Sequence, residues 1–141
     1  LSEARRGKIN PCNLGIKEAT GMCHDGKIEE RWGYNSSAQT CVKFFSASCD
    51  RHPNKFETAK KCLQTCNAES QCLKNREYSP LGLLTYYYFD ANATQCKETK
   101  IVFPRGTSTK KNRFKKKEEC ENKCMPSRIY IVKSHSVNYY N

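Results

Sequence analysis

The sequence predicts a small, disulfide-rich α+β chain made of two tandem modules, each a twisted β-hairpin followed by a C-terminal helix. Three observations carry that prediction. The 141 residues include ten cysteines, an even count typical of small disulfide-framed modules and rare in a reducing compartment. The cysteines divide into six (Cys12, Cys23, Cys41, Cys49, Cys62, Cys66) and four (Cys72, Cys96, Cys120, Cys124), and both groups close on a pair separated by three residues. A matching line also precedes each closing pair: Asn54 and Phe56 stand before Cys62 at the offset that Asn112 and Phe114 keep before Cys120.

Residues 1–11 read as an N-terminal extension and 12–66 as the first module. Arg31-Trp32-Gly33-Tyr34 and Val42-Lys43-Phe44-Phe45 are aromatic, strand-like runs around the polar turn Asn35 to Gln39, the pattern of a hairpin. The closing pair Cys62 and Cys66 has the i, i+4 spacing that sets both sulfurs on one face of a helix. Residues 67–71 form a five-residue linker. The second module, 72–124, repeats the plan with Tyr86-Tyr87-Tyr88-Phe89, a turn from Asp90 to Thr94, and Lys100-Ile101-Val102-Phe103 before its own cysteine pair. Each repeated Asn and Phe is expected to supply one buried amide and one core ring. Domains of about 60 residues bury little surface, so disulfides at roughly 2–4 kcal/mol each are the expected compensation.

The formal net charge is +11, and Lys110 to Lys117 reads KKNRFKKK, six cations in eight residues. Such a run favours acidic protein surfaces, sulfated glycans or anionic lipid, or it is simply a solvated helix entry. Nucleic acid is not an expected partner for a secreted chain. No segment reaches the roughly 20 apolar residues needed to span a bilayer, so the chain is expected to be soluble, secreted and monomeric, with Leu1 opening a mature chain after removal of a leader. Two sequons, at Asn35 and Asn92, fit that route. Zinc binding fits poorly, because His24, His52 and His135 are scattered and the cysteine pairs are widely spaced. No metal or cofactor is implied. No nucleophile and base stand together in the sequence, which argues against an enzyme.

Cys41-x7-Cys49-x12-Cys62-x3-Cys66, with Tyr34, Asn35, Phe44, Asn54 and Phe56 in place, resembles the Kunitz (bovine pancreatic trypsin inhibitor) family. The resemblance implies pairings Cys12–Cys66, Cys23–Cys49 and Cys41–Cys62, then Cys72–Cys124 and Cys96–Cys120 in a second, divergent domain. That domain lacks the bridge nearest the inhibitory loop. Pro80 stands about where the second cysteine of the domain would be, the fourth has no counterpart, and the span from Cys96 to Cys120 is three residues longer than from Cys41 to Cys62. A two-domain, ten-cysteine chain with a basic tail is similar to tick salivary anticoagulants within that family. That similarity implies inhibition of the factor VIIa–tissue factor complex, with factor X or Xa bound as a scaffold.

The same resemblance places the first inhibitory loop on Met22, Cys23, His24, Asp25, Gly26 and Lys27, with His24 at P1. The loop has extra residues on both sides of Cys23, so Lys27 or Glu29 is an alternative contact. His24 is short and mostly neutral at pH 7, which predicts poor inhibition of trypsin-like pockets that hold a buried aspartate. In the second domain the corresponding stretch is Pro80, Leu81 and Gly82, expected to be loose and a weak inhibitor. An exosite is the better use of that domain, with candidates Tyr86, Tyr87, Tyr88, Arg105, Lys110, Lys111, Arg113, Lys115, Lys116 and Lys117. Alternate strand positions face the core, so part of the tyrosine set is expected only to pack. The tail, 125–141, adds Arg128 and Tyr130 and either folds onto a partner or stays solvated. Channel blocking, and binding to heparin-like glycans or adhesion receptors, are the rival classes. Against the adhesion reading, the tripeptide Arg105-Gly106-Thr107 lacks a carboxylate.

Overall fold

A computed structural model describes residues 10–21, 23 and 27–129. It contains two antiparallel hairpins, each followed by a short helix. The first is β1 (Ile28–Asn35) with β2 (Thr40–Ala47), then α1 (Ala59–Cys66); the second is β3 (Leu84–Asp90) with β4 (Gln95–Ile101), then α2 (Lys117–Cys124). Single 3-10 turns, Pro11–Asn13 and Gln71–Leu73, open the two halves.

The hairpin turns are made the same way. Asn35 ends β1 and its Oδ1 accepts from Ser37 and Ala38 N–H, while Asp90 ends β3 and accepts from Asn92 and Ala93. Gln39 and Thr94 then take left-handed backbone, with φ of 54° and 52°. The two sequons therefore lie in matching turns but at different positions. Asn35 is the turn-forming residue, and Asn92 stands two residues past its counterpart, where it accepts from Lys60 Nζ at 2.7 Å.

Each expected buried amide is present and makes the same three bonds. Asn54 accepts from Tyr34 N–H at 2.8 Å and donates to the Tyr34 and Leu14 carbonyls at 3.0 and 2.7 Å. Asn112 accepts from Phe89 N–H at 2.8 Å and donates to the Phe89 and Lys74 carbonyls at 2.9 and 2.8 Å. Two residues on, Phe56 exchanges main-chain bonds with Trp32, as Phe114 does with Tyr87. Phe114 is buried, whereas Phe56 is partly covered.

Five disulfides complete the frame: Cys12–Cys66, Cys23–Cys49, Cys41–Cys62, Cys72–Cys124 and Cys96–Cys120. No cysteine is left free. Each helix of eight residues is tied twice, once to its hairpin and once to the start of its half. Such short helices are marginal in water without tertiary support. Thr58 caps α1 by accepting from Lys61 N–H, whereas α2 has no side-chain cap and instead carries Glu118 and Glu119 in its first turn, where they complement the helix dipole.

The two halves share one buried cluster that includes Trp32, Ala59 and Leu63 from the first and Phe89 and Phe114 from the second. The chain leaving α2 also returns to the first half. Lys43 N–H donates to Pro126 O and Arg128 N–H donates to Lys43 O, each at 2.9 Å, so Ser127 forms a parallel bridge with Lys43. Thr40 Oγ1 donates to Lys123 O at 2.7 Å beside it, Arg128 pairs with Glu18 at 2.8 Å, and Ile129 is buried. The start of the expected tail is thus docked on β2 through a single parallel bridge.

Two outcomes follow for stability. Asn112→Ala removes three bonds and orphans buried main-chain groups, so it should cost about 3 kcal/mol, read by denaturant unfolding with the disulfides intact. Deletion from Pro126 onward should leave both disulfide frames in place. It should speed exchange of the Lys43 amide by about tenfold or more, read by hydrogen exchange with mass or NMR detection.

Candidate functional site

Two fixed shoulders flank the stretch expected to be the inhibitory loop of the first domain. The incoming arm crosses the hairpin and is held residue by residue. Gly15 O meets His52 Nε2 at 2.7 Å, Lys17 pairs with Asp50 at 3.1 Å, Glu18 pairs with Arg128, and Ala19 N–H donates to Phe45 O at 2.9 Å. Ile16 packs over Gly33, where a Cβ would sit 2.8 Å from Ile16 Cγ1 and 3.1 Å from Phe44 Cε1. Gly33 is therefore required by a close approach, since any side chain there would lift the arm off the hairpin.

The Cys23–Cys49 bridge ties Cys23 to the end of the hairpin, with Cys23 buried and Cys49 N–H donating to Cys23 Sγ at 2.8 Å. On the outgoing side, Ser48 N–H donates to Lys27 O at 3.3 Å, and Ile28 opens β1. Met22, His24, Asp25 and Gly26, and with them the expected P1, lie outside the described residues. Of the alternative contacts, Lys27 is exposed and Glu29 pairs with Arg31 at 3.0 Å.

Asp50 is the electrostatic anchor of the arm. The Lys17 ammonium, then the His52 N–H, hold its carboxyl below the ordinary carboxylate value against a small opposing effect of burial, and Lys55 adds a positive neighbour. The main-chain carbonyl of Asp50 also accepts from Lys55 Nζ.

The second domain arranges the equivalent region differently. The absent bridge is replaced by main-chain bonds, Ser79 N–H to Lys100 O and Gly82 N–H to Ser79 O, both at 2.9 Å. Gly82 lies flat on β4, where a Cβ would come within 2.7 Å of Ile101 N and O. The stretch expected to be loose is a hydrogen-bonded turn, with Pro80 and Leu81 exposed at its crest.

Two exosite candidates are corrected by burial. Tyr86 is 5% exposed, and its hydroxyl accepts from the Arg105 and Gly106 amides at 3.2 and 3.1 Å, so it organises the longer loop after β4. Arg113 is 8% exposed, with Nε donating to Gly106 O and Nη1 lying 2.6 Å from Glu77 Oε1. Both side chains are turned into the domain. The triplet of aromatics carried no signal for which ring turns inward beyond strand alternation. The run of cations gave no sign that Arg113 turns inward.

Tyr87 and Tyr88 are partly covered, and Arg76, which sequence reasoning missed, stacks over Tyr78 at 4.5 Å and over Tyr88 at 5.6 Å. Arg105, Lys110, Lys111, Lys115, Lys116 and Lys117 are exposed. Lys117 borders a shallow cavity with Gln95 and Cys96, toward the turn end of the second hairpin, whereas Lys111 borders one with Tyr78 and Phe103 at the other end. The basic run is thus split between two faces. Arg128 is engaged with Glu18, and Tyr130 lies outside the described residues.

Two disulfide-framed hairpin–helix units, one with its loop bridge and one without, define a tandem inhibitor scaffold. The chain belongs to the Kunitz/bovine pancreatic trypsin inhibitor domain family, whose model matches residues 11–67 and again 71–125. Members of that family are protease inhibitors, not enzymes, and bind serine proteases. Haemaphysalin from the tick Haemaphysalis longicornis is 38% identical over 127 residues, which make up 85% of this chain and 76% of that protein. Papilin of Drosophila melanogaster is 28% identical over 117 residues, 80% of this chain but 4% of its own length. Among solved structures, one of Ixolaris, described with its interaction with factor X, matches with a TM-score of 0.32 and 25% identity. It covers 74% of this chain and 87% of that one.

The Asp50 contact yields a pH expectation. A carboxyl whose folded pKa is depressed stabilises the fold above its unfolded value, near 4, and that contribution is lost as pH falls through the folded value. Amide shifts of Lys17 to Ala19 should therefore move as the pH falls below about 4. Asp50→Asn should flatten that transition in an NMR titration.

Proposed function

We propose that the chain is a secreted anticoagulant serine-protease inhibitor acting at two sites. The loop of the first domain, with His24 at P1, engages factor VIIa in its complex with tissue factor. The second domain and the tail bind factor X or Xa at an exosite, through side chains such as Tyr88, Lys115, Lys116 and Lys117, and so form a scaffold for the inhibited complex.

The observation that supports this reading best is the asymmetry of the two loop regions. In the first domain, both shoulders are pinned and the Cys23–Cys49 bridge restrains the interior, so little ordering cost remains when a protease closes on it. In the second, no such bridge exists and the crest is an apolar turn, a poor substrate mimic for a pocket that holds an aspartate. Family membership and the tick relative support the inhibitor class. The residues that resemble tick salivary anticoagulants support the coagulation target.

The test is factor X activation by factor VIIa with soluble tissue factor, in the absence of vesicles, with and without prior incubation with active-site-blocked factor Xa. Trypsin is assayed in parallel. Inhibition that strengthens with the blocked enzyme, at concentrations that leave trypsin active, is the expected result. No inhibition in either arm would overturn the assignment to this complex.

A further inference from the structure

Large apolar side chains are unevenly displayed on this protein. Among the described residues, six are exposed, and all but Ile28 gather at the open end of the second hairpin: Tyr78, Leu81, Leu83, Val102 and Phe103. Single exposed leucines are ordinary, but a gathered set marks an interaction surface.

The shape of this set narrows the partner. Leu81 is 83% exposed, Leu83 is 90% exposed and Phe103 is 64% exposed, so these side chains form crests and not the floor of a groove. The turn that carries the leucines is braced by its main-chain bonds to Lys100 and by the close seat of Gly82 on Ile101. At this end lies an open hollow of about 510 Å³ whose lining mixes the apolar Tyr78, Val102 and Phe103 with the cations Arg76, Arg105 and Lys111. The carboxylate in that hollow, Glu77, lies 2.6 Å from the buried Arg113 guanidinium and also pairs with Arg105 at 3.5 Å and Lys111 at 3.8 Å, so a single carboxylate is shared among three cations, with Arg76 beside them. The outward charge at this tip is positive.

Apolar crests within a cationic collar match the pattern of an interfacial membrane anchor. Aliphatic and aromatic tips enter the boundary of the acyl chains while cations meet anionic headgroups. Arg76 stacked on Tyr78 is an amphipathic pair suited to headgroup depth. The geometry points to a docking site for an anionic phospholipid surface at this end of the second domain. Leu81, Leu83 and Phe103 enter the bilayer, and Arg76, Arg105 and Lys111 face its phosphates and carboxylates. The site is independent of which protease the first domain binds. It also lies at the opposite end of the hairpin from the cavity bordered by Lys117.

The full chain is tested by co-sedimentation with vesicles of phosphatidylcholine alone and with about 30% phosphatidylserine, at low and high salt. The informative variant is Leu81→Ser with Leu83→Ser and Phe103→Ser, which keeps the net charge and alters only exposed positions. The expected result is binding to the anionic vesicles that falls by about tenfold or more in the triple variant. Arg105→Gln with Lys111→Gln should weaken binding and reduce its salt dependence. Equal binding by wild type and triple variant would mean that bulk charge alone holds the protein, and would overturn the site. Absence of vesicle binding by the wild type would also overturn it, leaving the patch to a protein partner. Because factor X activation is read without vesicles, failure of either idea is visible separately.

Discussion

Each half of this protein is organised around one asparagine amide. Asn54 and Asn112 sit in the loop before the helix, yet each reaches the hairpin and the chain just after the first cysteine of its half. Three segments that share no secondary structure are thereby set against one another. A buried amide left unsatisfied would be costly, so its own need for partners dictates where those segments lie. Once they are placed, Phe56 and Phe114 can pair with the edge of the hairpin, and the helix can approach closely enough for both of its cysteines to be oxidised.

That arrangement leaves the loop end of each half free to differ. The first domain uses a bridge, an ion pair and a packed glycine to fix the arm that leads into its expected loop. The second uses a turn seated on β4 and turns its extra residues after Ile101 into a loop held by the Tyr86 hydroxyl and Arg113. In both, the helix end of the frame is nearly superposable in its bonding. One framework therefore carries two unrelated surfaces, which is the usual relation between fold and site.

The repeated frame was legible in the residues because covalent and buried polar constraints leave fixed spacings. Cysteine pairs at i, i+4 and an Asn two before a Phe mark the same structure twice. The candidate exosite was less legible. Nothing in a run of eight residues rich in lysine says that Arg113 turns inward to Glu77 while its neighbours stay in solvent. Glu77 lies 36 residues earlier in the chain, and the ion pair exists only because Asn112 positions the segment. The apolar tip was hidden for a similar reason. Tyr78, Leu81 and Leu83 are close in sequence, but Phe103 comes from beyond β4 and joins them only when β3 pairs with β4.

The parallel bridge that Pro126 to Arg128 make with Lys43 of β2 gives the molecule a closed circuit. The chain crosses from the first domain to the second through the linker and crosses back through this bridge, so two separate connections span the junction. For tethered modules, linker length sets an effective concentration that averages over many orientations. Here the distance between the two working surfaces is a property of packed side chains, as it would be in one rigid body. On the two-site reading proposed above, targets too near or too far apart would be excluded by geometry, and selectivity for a pair of partners would come from their spacing as well as from what either domain recognises alone.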